Sequence, residues 1–404
     1  VRAYLEVLAD RRARSPILAA AVSRLTPGMI GIGLVLAVRE AGYGYAAAGL
    51  VAGAHQLGVG VGSPFQGRLA DRLGHARVLV PDAVLYLAGT IAIVVGSSLG
   101  WAVPALTALA LVTGAVQPPT TPVSRALLGS LFTTGRLRET VFAVNSIAVE
   151  LGFIVGPLAV VVISAAVGAR WAVLGAGLFA AAGAIGYART EAVRTAVLVP
   201  RATGRAGALE SVGLRVMVVA YVAIAASFGT FDLVAAAVAE RSGVPSAAGT
   251  LISIIAFGSL IGGLVYGARV WPGTPLVRMR VMVVVFALGL AVVPFVLGRL
   301  GLLGGVLLVV GASIGPMNIS AFQLIDDLSP PSARAEAQSW TQASVFLGSA
   351  AGAAMGGVLI DVAGPAVAMG AGAGAVGVAA VILNVGRRLL VPPERSLGVS
   401  APAR

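Results

Sequence analysis

Among the ionisable side chains inside long apolar runs of this 404-residue chain, Arg24, Glu150 and Asp232 stand out. A charge at lipid depth is costly and marks function: a carboxyl there takes up and releases a proton or neutralises a cation, and an arginine pairs with it or holds an anion. Glu150 lies about ten residues into its run, roughly 15 Å deep at the helical rise, and Arg24 about eight residues into another, roughly 12 Å deep. If both runs start from the same face, the two charges share a depth and each lowers the cost of burying the other. Glu150 is then the first candidate for a proton or substrate-charge site, with a static buried pair as the other reading. Asp232, following Gly229-Thr230-Phe231, stands in the outer third of its run, where it either lines a vestibule or rests in the water interface.

Weaker candidates for contact with a small solute are Gln117, Asn145, Asn318 and Gln342. His55 and Gln56 read as hydrogen-bonded interior groups, and Asp82, beside Pro81, is expected to pair with arginines of the nearby 67–79 segment. With no cysteine and two histidines the chain offers no disulfide, no thiol nucleophile and no transition-metal cluster. It also lacks the G-x-x-x-x-G-K-[ST] phosphate loop. No catalytic, cofactor-binding or metal-binding residue is expected, and the chain reads as a non-enzyme without cofactor.

The elements that must position these groups are membrane helices. Charged residues make up 11% of the chain and apolar ones 58%, with a mean hydropathy of +0.96, where a soluble domain carries about 25% charged residues. Apolar runs fall at 16–38, 45–66, 78–97, 101–124, 140–167, 170–188, 214–239, 246–268, 280–298, 300–322, 338–360 and 364–386, each long enough for a span of about 20 residues. An unpaired amide in lipid forces them to be helical, so the expected class is all-α integral membrane protein with twelve transmembrane helices. The first run has no cleavage site after it and reads as an uncleaved span.

All 28 basic residues are arginine. Counted on alternate loops, 23 of them fall on the side of the N-terminus and four, Arg39, Arg170, Arg241 and Arg299, on the other. The net charge of +12 therefore reports topology, with both termini cytoplasmic, and no nucleic-acid partner is expected. The organisation that follows is a cytoplasmic segment 1–15, a six-helix bundle 16–188, a polar linker 189–213, a second bundle 214–386 and a cytoplasmic tail 387–404. The bundles repeat. Ala47, Ala48, Gly49, Gly58, Gly62 and Gly67 match Ala247, Ala248, Gly249, Gly258, Gly262 and Gly267; Gly114, Ala115 and Pro119 match Gly311, Ala312 and Pro316; Arg138, Leu151, Gly152 and Gly156 match Arg334, Leu347, Gly348 and Gly352. In the fourth run Pro118, Pro119 and Pro122 must break the hydrogen-bond ladder.

Between the second and third runs stands Gly67-Arg68-Leu69-Ala70-Asp71-Arg72-Leu73-Gly74-His75-Ala76-Arg77-Val78-Leu79. Gly67 and Gly74 suit a tight turn, and Asp71 and Arg72 suit a contact with a helix end or a neighbouring charge. This stretch resembles the signature loop G-x-L-a-D-r-x-G-r-k-x-x-l of the major facilitator superfamily, departing from it at His75 and Ala76. The resemblance implies two pseudo-symmetric six-helix bundles that rock about a central site, with the signature loop as a gating element. It also implies that spans two, five, eight and eleven meet between the bundles. Their small-xxx-small pairs, Gly58/Gly62, Gly152/Gly156, Gly258/Gly262 and Gly348/Gly352, are then the packing surface. Gly156-Pro157 resembles part of the fifth-helix motif of drug–proton antiporters, but Ala110 stands where their fourth-helix arginine would be.

The expectation is a secondary active transporter in the cell's inner membrane, monomeric, moving a small solute by alternating access, with proton-coupled export first. The alternatives are a passive facilitator, an uptake permease, and a non-transporting sensor or scaffold. Topology is testable directly because the chain is free of cysteine. Ala41→Cys is expected to react with a membrane-impermeant maleimide on intact cells and Ala76→Cys only after permeabilisation; the reverse pattern inverts the chain.

Overall fold

A computed structural model describes residues 9–131, 135–195, 208–244, 246–267, 269, 271–329 and 334–390. Among these there is no strand. The helices of the first part are α1 (Arg11–Ser23), α2 (Leu25–Glu40), α3 (Tyr45–Leu73), α4 (His75–Ser98), α5 (Val103–Ala115), α6 (Thr120–Leu131), α7 (Gly135–Val167) and α8 (Ala169–Ala188). A single turn, α9 (Glu191–Arg194), lies in the linker. The second part holds α10 (Val212–Ser242), α11 (Ala247–Gly267), α12 (Pro275–Val296), α13 (Leu300–Gly311), α14 (Ile314–Leu328), α15 (Arg334–Ala363) and α16 (Pro365–Val385). Nine helices among the described residues are long and apolar enough to cross a membrane, counting α1 with α2 and α13 with α14 as one each. With α3, the α5/α6 pair and α7, the layout is consistent with twelve rods.

Three rods are broken, each at a proline. A proline ring clashes with the carbonyl four residues back. Pro27 therefore disturbs the turn at Ser23 and Arg24, where α1 ends and α2 begins; Pro316 does the same at Ala312, where α13 ends. The expected break in the fourth rod lies at Val116–Pro119. The breaks at Arg24 and Ala312 go beyond the expectation from the sequence.

The 67–79 segment also differs from expectation. Helix α3 runs on to Leu73, so Gly67 is a helical residue and not part of the turn. The reversal is made by Gly74 alone, at φ +97°, which is both the last cap of α3 and the first of α4. The region is glycine-favouring because a Cβ there meets its own carbonyl. Arg72 is exposed; the side chains of Arg68 and Asp71 lie outside the described residues. Asp82 pairs with no arginine among the described residues, and its Oδ2 is buried without a hydrogen bond.

The eight glycines of the small-xxx-small pairs pack as closely as expected, but not where expected. A Cβ at Gly58 or Gly62 would strike the α5 backbone at Leu111 and Ala115, and one at Gly258 or Gly262 the α13 backbone and its end at Leu308 and Ala312. Gly152 and Gly156 lie against α2 and its entry at Arg24 and Gly28, and Gly348 and Gly352 against α10 at Val222 and Ala226. Every pair thus joins helices of the same half. The correction has a physical reason: lipid gives apolar burial little driving force, so bare backbone contact is spent on making each half rigid.

The contact between halves uses other residues. Helix α3 meets α15 where a Cβ at Gly53 would come within 2.7 Å of the Ala350 carbonyl oxygen and one at Gly60 within 2.9 Å of Phe346 Cβ. Helix α7 meets α11 where Gly249 lies against the Pro157 carbonyl and the Ser253 hydroxyl donates to the Ile154 carbonyl at 3.0 Å. Pro157 therefore does sit between the halves. These contacts run from one end of the rods to their middle, where Gly60 meets Phe346; nearer the other end a Cβ at Gly67 or Gly267 would meet nothing within 4 Å among the described residues. Gly352→Val is expected to destabilise the protein by about 1–3 kcal/mol through overpacking, read as a lower thermal midpoint in detergent. Gly374→Ala, on an exposed helical surface with open space, should leave the midpoint unchanged or raise it; equal losses would refute the packing account.

Candidate functional site

Helix α10 carries Asp232 and α2 carries Gly31, and the two meet between the halves. Gly31 leaves space for the carboxylate: a Cβ there would stand 3.0 Å from Asp232 Oδ2. Gln56 of α3 and Ser349 of α15 complete the polar part of the same small cavity, with Val35, Ala52 and Leu233 among its apolar walls. Its volume is about 10 Å³, on the scale of a single water. Each half contributes two helices to it, which makes it a point where relative movement of the halves must change the surroundings of Asp232. Among the described residues no hydrogen bond or ion pair is formed by the Asp232 carboxylate. Ser349 is held in place by donating to the Ala225 carbonyl at 3.3 Å.

Arg24 stands at the break between α1 and α2, 2% exposed, and its guanidinium donates to Ser124 Oγ of α6 at 2.5 Å. Nearby the Thr120 hydroxyl donates to Ser23 Oγ at 3.0 Å. The Arg24 backbone touches α7 at Gly152, so Arg24 lies at the level of a position two residues from Glu150. The side chains of Glu150 and Asn145 lie outside the described residues.

The weaker candidates do not converge. Asn318 on α14 accepts a hydrogen bond from the Tyr221 hydroxyl of α10 at 3.3 Å, tying two helices of one half. Gln117 is half-buried in the α5/α6 break with its Oε1 enclosed, and Gln342 on α15 is exposed. His55 is interior, as expected: its Nε2 faces the Tyr86 hydroxyl at 3.3 Å and the two rings meet edge-on. Sequence reading missed Gly31 and Ser349. The available signal was the recurrence of small residues along the first run, Gly28, Gly31 and Gly33, which marks a face open to close approach.

What this arrangement can do is limited and definite. A carboxylate in a water-sized space between two rigid bodies can exchange a proton or a cation when the bodies part.

The family model described as Major Facilitator Superfamily matches residues 17–352. No curated protein matches the chain. Among solved structures, it is similar to a mutant of the nucleoside transporter NupG, at TM-score 0.74 and 15% identity over 93% of this chain and 99% of that one. It is also similar to the human organic anion transporter MFSD10 (TETRAN), at TM-score 0.63 and 16% identity over 92% and 99%. A POT family transporter in complex with a thioalcohol-conjugated peptide aligns at TM-score 0.67 and 13% identity over 94% and 96%. Identities this low carry the fold alone, whereas the family match spans most of the chain: the protein belongs to the Major Facilitator Superfamily of multi-pass membrane transporters.

Proposed function

We propose that the protein is a proton-coupled secondary transporter that exports a small neutral or amphipathic solute across the cell's inner membrane, as a monomer and without chemical change to the solute. The observation that carries this reading is Asp232, a carboxylate without an ionic partner among the described residues, held in a space shared by both halves. Protonation of such a group removes the charge that otherwise resists closure around it. Glu150, at the level of Arg24, is the second proton or substrate-charge site in this reading. With the N-terminus cytoplasmic, as arginine placement favours, the end where α3 and α15 meet through Gly49, Gly53 and Gly357 is the outer one.

The solute is to be found by thermal-shift screening of neutral and amphipathic compounds on the purified protein. Its flux is then followed in proteoliposomes under an imposed pH gradient. In the wild type, a protonophore is expected to abolish gradient-driven flux. Asp232→Asn is expected to reduce that flux to near the level of empty liposomes while keeping solute exchange at zero gradient. Glu150→Gln is expected to shift the pH profile of transport, and an unchanged rate and profile would remove Glu150 from the account. Wild-type flux indifferent to the protonophore would assign passive facilitation instead.

A further inference from the structure

Helix α3 begins without a cap of its own. Its N-cap residue is Gly44, which has no side chain to accept the first free amides. Those amides are instead taken by the other half: Asp361, in the last turn of α15, accepts from Tyr45 N through Oδ1 at 3.1 Å and from Ala46 N through Oδ2 at 2.7 Å. The approach depends on two glycines, since a Cβ at Gly44 would stand 3.0 Å from Asp361 Oδ2 and one at Gly357 would strike the Tyr45 carbonyl.

A second acid from the same half joins the same corner. Glu240, in the last turn of α10, receives Arg39 Nη2 at 2.8 and 2.9 Å and the Tyr45 hydroxyl at 2.5 Å. The Arg39 guanidinium also lies 4.1 Å above the Tyr45 ring centre and donates to the Tyr43 carbonyl at 2.7 Å. Both acids therefore come from the second half, and everything they hold belongs to residues 39–46 of the first.

The internal repeat shows where the two halves differ. The ends of α2 and α10 carry the same capping pattern, closed by Gly42 and Gly243 at positive φ, so Arg39 answers to Glu240 and Glu40 to Arg241. Glu40 accepts from Ala169 N at 2.6 Å and so caps α8 within its own half, and Arg241 lies against Gly364 at the start of α16. The residues that pair across the seam, Arg39 and Glu240, thus occupy equivalent positions with opposite charge, while the position that answers to Asp361 is Ala165.

We propose that Asp361 and Glu240 are gating residues of the transport cycle, a two-acid clasp that holds the halves shut at this end and must release for it to open. The proposal rests on the alternating-access reading above and adds the residues that set its balance. Exposure suits the role: with side chains 25% and 56% exposed, the Arg39–Glu240 pair is a weak link of the kind that contributes little when water reaches it. A charged carboxylate across a helix start adds a comparable increment. A gate must be closed more often than not and still open.

The test places spin labels on Ala41→Cys and Ser242→Cys, two exposed positions flanking the clasp on opposite halves, in the otherwise cysteine-free full chain, and reads their distance distribution by pulsed electron resonance. Asp361→Ala and Glu240→Gln are each expected to move population from the short distance to a longer one, with the closed-to-open ratio falling about two- to fivefold. Gly44→Ser added to Asp361→Ala supplies a cap in cis, at a backbone conformation (φ −67°, ψ 168°) open to serine. This double variant is expected to recover the thermal midpoint but to keep the long distance. Distances unmoved in both single variants, or a short distance restored by Gly44→Ser, would overturn the clasp and leave Asp361 a plain helix cap. The transport reading is judged separately by the flux assay, which depends on neither residue.

Discussion

Helices in lipid can be bound tightly only where their backbones come into contact, because exchanging one apolar surface for another contributes little there. In this protein that contact is concentrated on four matched interfaces, α3 with α5, α11 with α13, α7 with α2 and α15 with α10, each made by glycines whose missing Cβ lets a neighbouring carbonyl approach. All four lie inside a half. Hydroxyls reinforce the same interfaces, as when the Thr230 side chain donates to the Gly352 carbonyl at 3.0 Å. The result is two stiff bodies, since close-packed interfaces of this kind switch between arrangements rather than deform.

The surface between the bodies is made differently. It has its own glycines, at 49, 53, 60, 249 and 357, and all but the mid-helix Gly60 lie toward one end. At that end the contacts include the exposed carboxylates of Glu240 and Asp361 and the part-buried guanidinium of Arg39. Deeper in, Asp232 stands against Gly31 on the same two helices that carry Glu240 and Arg39. Eight residues separate each pair along its helix, or about 12 Å at the helical rise. One movement of α10 against α2 therefore alters the ionic contact at the rim and the environment of the carboxylate beneath it together.

Much of this was legible in the sequence, and the rest was not for identifiable reasons. Apolar runs and arginine placement gave the helices because lipid imposes both length and charge rules. The repeat was visible because close backbone approach tolerates only glycine, so Gly58, Gly62, Gly258 and Gly262 stay in step. Which helix each glycine faces was not visible, since spacing along one helix says nothing about its partner; that is why the pairs were expected between the halves and are found within them. The break at Arg24 follows from Pro27 and was open to the same reasoning applied to Pro118. Asp232 was found as a charge in an apolar run. Glu240 and Asp361 were passed over because an acid near a helix end looks like ordinary solvated surface until the half that it touches is known.

The central claim is that two rigid halves part and rejoin at the end where Asp361 meets the start of α3. It is tested most directly by a reducible cross-link between cysteines at positions 41 and 242, the exposed positions flanking the clasp, made in the reconstituted protein while solute flux is recorded. The account predicts that flux stops on linking and returns on reduction. Flux that continues unchanged with the link in place would contradict it.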